Sequence, residues 1–280
     1  MEDEETMSNN QRFGKIVLYA AGILVACIAL FPLLWMAIAG FKAKTEVLST
    51  PFRFFPERWL VENYISILQD SLFLKSMILT FGGAVLFAAL SLAINASAAY
   101  VFARLEFRFK RVLWVYVIMT MFIPGMAILV TSFIVVTKLQ MLDTLAVLVL
   151  PGVASAGHMF FIRQFYLNIP LALEEAALID GAGRFKIFTH IFLPMSYPVF
   201  VIVGIGSYLG YWNAFVWPTM TITNVNLFQI MQYLATFRSE RGTEMGMLMA
   251  GSSLAAVPTI VLFLIFQKYI IRGIKISGLK

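Results

Sequence analysis

Residues 168–194 read NIPLALEEAALIDGAGRFKIFTHIFLP, a polar insert in a chain that is otherwise almost continuous hydrocarbon. Asn168 suits a helix cap and Pro170 a first turn, where a missing backbone donor costs nothing. Leu171 through Asp180 then reads as a short helix. Gly181 suits the left-handed residue that ends it, because a residue without a Cβ meets no steric penalty there. A second helix is expected from about Gly183, with Phe185, Phe188, Ile191 and Phe192 on one stripe and Lys186, Thr189 and His190 facing away, until Pro194 stops it. The expected product is an elbow rooted by its apolar stripe against membrane helices. A face bearing Glu174, Glu175, Ala176, Ala177 and Asp180 is then free to enter a groove in another protein, the alanines permitting close approach and the carboxylates giving polar register. The plainer alternative is a solvated loop between spans.

The rest of the chain places this elbow at a membrane. Of its 280 residues 60% are hydrophobic and 13% charged, with mean hydropathy +0.85; soluble surfaces need roughly twice that charged share. The net charge of +6 is spread over the connections rather than clustered, which argues for topology signals and against a nucleic-acid partner. Cys27 is the single cysteine and falls in the first apolar run, so no disulfide forms within the chain. That run is too long for a signal-peptide core and reads as a retained span kinked at Pro32.

Six stretches are long enough to cross a bilayer core: 16–41, 76–103, 112–136, 145–166, 197–221 and 247–271. The expected fold is all-α and polytopic, with residues 1–15 as a cytoplasmic amino-terminal segment and 16–280 as one membrane domain containing the loop 168–196. About thirteen Lys and Arg fall on the side of the elbow and about eight on the other, and the connection RLEFRFKR at 104–111 is the densest cluster. Both termini and the elbow are therefore expected in the cytoplasm. Outside lie 42–75, read as an interfacial lid with Pro51, Pro56, Trp59, Asn63 and Tyr64, a turn at 138–143, and 222–244.

Every Asp and Glu lies outside the six stretches, whereas gradient-driven carriers place a carboxylate or charged relay in the membrane. The sequence also lacks GxxxxGK[ST], the usual phosphate cradle. Energy must then come from a partner. The alternatives, a self-contained secondary carrier or channel and an intramembrane enzyme, find no charge pair, pore ring, GxSxG or HExxH to support them. Candidate path residues are Asn95 beside Ser91 and Ser97, His158, and Tyr208, Trp212 and Asn213 after Gly206 and Gly210, whose spacing permits close helix approach. Ser252 and Ser253 begin the last stretch. For each of these, hydrogen bonding between helices competes with lining a route for a neutral, hydroxylated solute.

The spacing Glu175-Ala176-Ala177, three residues, Gly181, nine residues, Ile191, one residue, Leu193-Pro194 resembles the EAA coupling loop of permease subunits of ATP-binding-cassette importers, and Asp180-Gly181-Ala182 matches as well. PLLWMAIAGFK at 32–42, LVENYISIL at 60–68, FFIRQF at 160–165, YWNAFVWP at 211–218 and the tail QKYIIRGIKISGLK are similar to the carbohydrate branch, the maltose-type second permease. The resemblance implies a homologous permease partner, two cytoplasmic ATPase subunits that bind ATP and Mg, an extracytoplasmic solute-binding protein, and a multi-pass position in a prokaryotic inner membrane. The chain itself would bind no cofactor and no metal and would catalyse nothing. Alternating access would follow from nucleotide-driven closure of the ATPase pair. On this resemblance Glu174, Glu175, Ala176, Ala177, Asp180 and Gly181 meet the ATPase groove, Arg184 flanks it, and Ile191, Leu193 and Pro194 keep the elbow rigid. The tail departs from the family at Ile274, Lys275 and Ile276.

Overall fold

The structure, a computed structural model, describes residues 9–239 and 244–278, with side chains placed for 14–238 and 244–269. The described residues are helical and contain no strand. Helices Gly14–Ala39, Ser71–Arg104 and Met245–Tyr269 are each long and apolar enough to cross a membrane, and there are up to six spans if each of three bent helix pairs is one. The described residues fall into two compact units, those up to Gln69 with Thr236–Leu254 and Asp70–Ala235 with those from Ala255.

In the first unit, helix Asn9–Ala39 starts earlier than the expected boundary at residue 16, and Pro32 lies within it without ending it. Its end is fixed by the segment read as a lid. Asn63 Nδ2 donates to the carbonyls of Gly40 (2.9 Å) and Lys42 (3.0 Å), and the Tyr64 hydroxyl donates to Ala37 O (2.7 Å). Carbonyls freed at a helix end thus find side-chain donors, as buried backbone must. Lys42 is buried, with Nζ 4.6 Å from the Trp35 ring centroid and bonded to Arg53 O (2.5 Å). Asn63 and Tyr64 anchor the lid segment to the end of this helix.

In the second unit, the helix Ser71–Arg104 is the axis against which Ala156–Leu167 and Tyr197–Trp212 pack. Its first turn is capped by Asp70 Oδ1, which accepts from the amides of Leu72 (2.8 Å) and Phe73 (3.4 Å). Near that end Thr80 Oγ1 accepts from Ile230 N (2.8 Å), and the Tyr233 hydroxyl donates to Asp70 Oδ2 (2.8 Å).

Three of the expected continuous spans are broken. The stretch 112–136 becomes Lys110–Thr120 and Gly125–Lys138, bent by 102°; Pro124 has no N–H to continue the ladder and pushes the residue before it out of helical geometry. The stretch 145–166 becomes Leu145–Gly152 and Ala156–Leu167, bent by 47°. The stretch 197–221 stops at Trp212 and resumes as Val216–Thr221. Non-helical backbone at such depth persists only where protein satisfies it. Val147 O, in the helix Leu145–Val149 but deprived of its usual donor by Pro151, accepts from Trp217 Nε1 at 2.8 Å, and Asn95 satisfies the backbone at the second break.

Candidate functional site

The elbow forms within the second unit. Asn168 closes the preceding helix instead of opening the elbow: it is the C-cap of Ala156–Leu167, and its Nδ2 donates to Gln164 O at 3.0 Å. The first arm, Leu171–Ile179, has Pro170 at its cap position. At its end Gly181 has φ +78°, Gly181 N donates to Leu178 O (3.0 Å) and Ala182 N to Ala177 O (2.9 Å). Those paired bonds around a left-handed glycine satisfy the orphan carbonyls of the arm. The sequence expectation for Gly181 matches this geometry.

The second arm runs from Arg184 to Met195, past Pro194, through a widened π turn at Phe188–Phe192. Pro194 does not stop it. The wider turn relieves the clash a proline ring makes with the carbonyl four residues back. The chain turns instead at Ser196, buried, with Oγ bonded to Phe192 O at 2.5 Å, and then bends by 78° into Tyr197–Trp212.

The inward stripe is Ile187, Phe188, Ile191 and Phe192, packed on Ala99, Tyr100, Ile162, Tyr166 and Val199. Phe185, expected on that stripe, is 78% exposed. Phe188, Ile191 and Phe192 keep the expected stripe, so the phase is as read; Phe185, one turn nearer the tip of the elbow, has no core residue against it. Tyr100 lies edge-on to Phe192 at 4.9 Å and Tyr166 at 5.2 Å.

Glu174, expected on the free face, is buried. Its Oε1 accepts from Arg184 Nη1 and its Oε2 stands 3.8 Å from Arg104 Nε. Arg104 Nη2 also donates to Tyr166 O (2.7 Å) and Ile169 O. The carboxylate therefore ties both elbow arms to the end of the long helix, and Arg184 is held by Glu174 instead of standing clear. Ala177, Ile191 and Leu193 pack inward as well. Glu175, Ala176, Asp180, Gly181 and Pro194 remain exposed, joined by Ile179 at 86%. Ile179 and Phe185 were missed by a reading that assigned apolar side chains to the root; the signal available was their position flanking Asp180-Gly181.

Within the same unit lies a cavity of about 460 Å³, lined among others by Phe87, Ser155, His158, Ser207, Tyr211 and Trp217. The His158 Nδ1 atom is 3.4 Å from Ser91 Oγ and 3.5 Å from Ser207 Oγ. Gly206 and Gly210 face this space: a Cβ on either would have nothing within 4 Å. Among the described residues none makes with them the close helix contact expected there. Gly83 does make one, since a Cβ there would collide with the Tyr211 ring and hydroxyl.

The other expected path residues fall elsewhere. Asn95 is buried and fully engaged: its Nδ2 donates to Ser91 O (2.7 Å), Ser91 Oγ (3.0 Å) and Val153 O (2.8 Å), and its Oδ1 accepts from Ser155 N (2.8 Å). It staples the broken helix. Tyr208 and Trp212 are buried and stacked on each other at 5.6 Å. Asn213 is exposed and closes its own helix through Leu209 O at 3.0 Å. Tyr208, Trp212 and Tyr211 share one helix, and a change of a single position in phase decides which aromatic meets the cavity. No cluster suited to a metal ion occurs among the described residues.

An all-α membrane chain with a polar elbow and a partly hydroxyl-lined cavity is the class these observations define. A family model described as a binding-protein-dependent transport system inner membrane component matches residues 95–276, and the chain belongs to that family. The arabinooligosaccharides transport system permease protein of Halalkalibacterium halodurans is 30% identical over 91% of this chain and 93% of its own length. The diacetylchitobiose uptake system permease protein of Streptomyces coelicolor is 32% identical over 94% and 88%. A chain from a bacterial ABC transporter involved in the import of the acidic polysaccharide alginate shares the fold, with TM-score 0.81 over 94% of this chain and 99% of that one at 21% identity.

Proposed function

We propose that this chain is the permease subunit of an ATP-binding-cassette importer for a sugar or related hydroxylated solute. It forms the translocation path with a homologous permease and takes its energy from two cytoplasmic ATPase subunits, which bind the ATP and Mg. An extracytoplasmic binding protein delivers solute, and both termini and the elbow lie in the cytoplasm of a prokaryotic cell. The names of the arabinooligosaccharide and diacetylchitobiose relatives support the solute class.

The observation that carries the reading is the elbow: rooted by Phe192 and Ile187, locked by Glu174, it presents Glu175, Ala176 and Asp180 outward. A rigid projecting element is what force transfer between subunits requires. In the cavity, His158, Ser207, Tyr211 and Trp217 replace Asn95, Tyr208, Trp212 and Asn213 as the proposed contacts, aromatic faces and hydroxyls suiting a glycosyl ring.

The test is uptake in vesicles carrying the assembled transporter with Glu175→Arg and Ala176→Arg. Both positions are exposed, so the chain should insert normally while ATP hydrolysis no longer drives uptake. Wild-type uptake by that double variant would reject the coupling assignment.

A further inference from the structure

Outside the elbow and the solute cavity, the second unit holds another cavity, of about 520 Å³, lined by Lys110, Arg111 and Arg163 with Glu106, Phe109 and Trp114. Its charge is unbalanced. Lys110 Nζ bonds Glu106 Oε1 at 2.8 Å, so the single lining carboxylate is already neutralised. Arg111 has no ion pair or hydrogen-bond acceptor for its side chain among the described residues.

Arg163 is more organised. Its Cζ lies 4.2 Å from the Trp114 ring centroid, and Trp114 in turn stacks on Phe160 at 6.3 Å and 13°. Its Nε donates to Phe102 O at 3.1 Å. That uses one donor and fixes the guanidinium plane, while the terminal amines keep no acceptor among the described residues. A held planar fork with free amines matches two oxygens of a phosphate. The neighbouring helix Lys110–Thr120 begins here at Phe109, φ 65°, without a side-chain cap, and so adds the positive end of its dipole.

Apolar surface continues from the cavity. Val112, Leu113, Val115, Tyr116 and Met119 are all exposed along the same helix. A soluble anion would use the charges and leave that surface bare. An amphiphile uses both.

We propose that this cavity binds the headgroup of an anionic phospholipid, with Arg163 as the fork on its phosphate, Arg111 as the second cation, and the acyl chains against residues 112–119. Arg163 stands in the final turns of Ala156–Leu167, directly before the elbow, so an occupied site steadies the helix from which the elbow departs. Basic cavities between helices at the cytoplasmic boundary suit such headgroups, and each cation near an anionic surface strengthens the attraction.

The experiment uses the full chain, purified with its companion subunits, stripped of lipid, and titrated in neutral micelles with dioleoylphosphatidylglycerol, dioleoylphosphatidylcholine or inorganic phosphate. Retained lipid is read by native mass spectrometry, and the unfolding temperature is read in parallel. Phosphatidylglycerol should be retained and raise the unfolding temperature, and Arg163→Gln with Arg111→Gln should lower its apparent affinity about thirtyfold. Lys138→Gln should leave it unchanged. Arg163→Lys, which keeps the charge but not the fork, should fall between and serves if the double variant does not fold. Equal retention of phosphatidylcholine, equal protection by phosphate alone, or undiminished phosphatidylglycerol binding in the folded Arg163 variants would overturn the proposal. None of these readouts requires transport, so they stand apart from the importer assignment.

Discussion

Arg104 Nε and Glu174 Oε2 stand 3.8 Å apart, and each side chain is only 5% exposed. Arg104 ends the long helix Ser71–Arg104, and Glu174 sits in the first elbow arm. The guanidinium also reaches the carbonyls of Tyr166 and Ile169 and lies 5.1 Å from the Phe192 ring centroid. One cation therefore touches the elbow's entry, its first arm and its second. Buried pairs add little net stability over a well-packed apolar pair, because desolvation offsets attraction. Their use is to fix a geometry, here the angle at which the elbow leaves the membrane helices.

Removing Glu174 leaves Arg104 buried without its carboxylate, whereas removing Arg104 leaves Glu174 paired with Arg184. Glu174→Gln should cost about 3–5 kcal/mol and Arg104→Gln less, and Arg104→Met with Glu174→Met should recover part of the larger loss. Thermal unfolding in detergent, run as a double-mutant cycle, checks this. Additive losses in the double variant would mean that the two side chains do not act as a pair.

Asn95→Leu keeps approximate volume but strips the partners from Val153 O and Ser155 N at the break in the fourth span. Unsatisfied buried backbone groups cost about 1–3 kcal/mol each. The variant should lose stability on that scale, whereas Asn213→Ala, exposed and bonded only to its own helix, should stay within about 0.5 kcal/mol. Equal effects at the two positions would contradict the staple.

The helix–glycine–helix elbow was legible because Gly181 answers a backbone requirement that residue type alone reveals, and the membrane class because long apolar runs have no other use. The breaks at 121–124, 153–155 and 213–215 were not legible. Their stability depends on partners distant in sequence, Asn95 at the second break and Trp217 for the carbonyl of Val147. Glu174 was misplaced for a related reason: a carboxylate on a short helix reads as exposed until Arg104, seventy positions earlier, is known to face it. Gly206 and Gly210 carry the spacing of a helix contact yet border open space, and spacing cannot tell the two apart.

At Gly181 a Cβ would meet nothing within 4 Å, so Gly181→Ala is opposed only by the backbone at φ +78°. The cost should be about 1 kcal/mol. Gly83→Ala has ordinary helical geometry but drives a Cβ into the Tyr211 ring at the cavity wall. Transport by the Gly83 variant should therefore fall more than its stability does. Calorimetry beside uptake separates the two, and proportionate losses would remove Tyr211 from the path.

Asp143 accepts from Asn224 N (2.8 Å), Thr223 Oγ1 (2.7 Å) and Thr223 N (2.7 Å), joining the turn after Gly125–Lys138 to the segment after Thr221. The Asn224 amide, then the Thr223 hydroxyl and amide, hold its carboxyl below the usual 3.8. A lowered folded-state value means that the clamp contributes fully above the unfolded value and is lost as pH falls through the folded one. Wild type should thus lose stability on acidification below about pH 3.8 more steeply than Asp143→Asn, which cannot titrate there. Parallel melting curves against pH would show that the carboxylate's charge is immaterial.

Ile179 and Phe185, 86% and 78% exposed, flank the turn of the elbow on its outer surface. Their neighbours Ile187 and Phe192 are buried in the root. Replacing the buried pair with serine removes packing and should collapse the elbow, whereas Ile179→Ser with Phe185→Ser removes nothing the folded chain uses and should change stability by about 0.5 kcal/mol or less. If the elbow seats in a groove of the ATPase subunits, these side chains are its apolar anchors, and central apolar anchors cost about 2 kcal/mol or more on truncation. Affinity for the ATPase subunits should then drop about thirtyfold. A binding titration of the reconstituted permeases against the ATPase subunits measures it directly. Undiminished affinity in a stably folded double variant would assign the contact to Glu175, Ala176 and Asp180 alone.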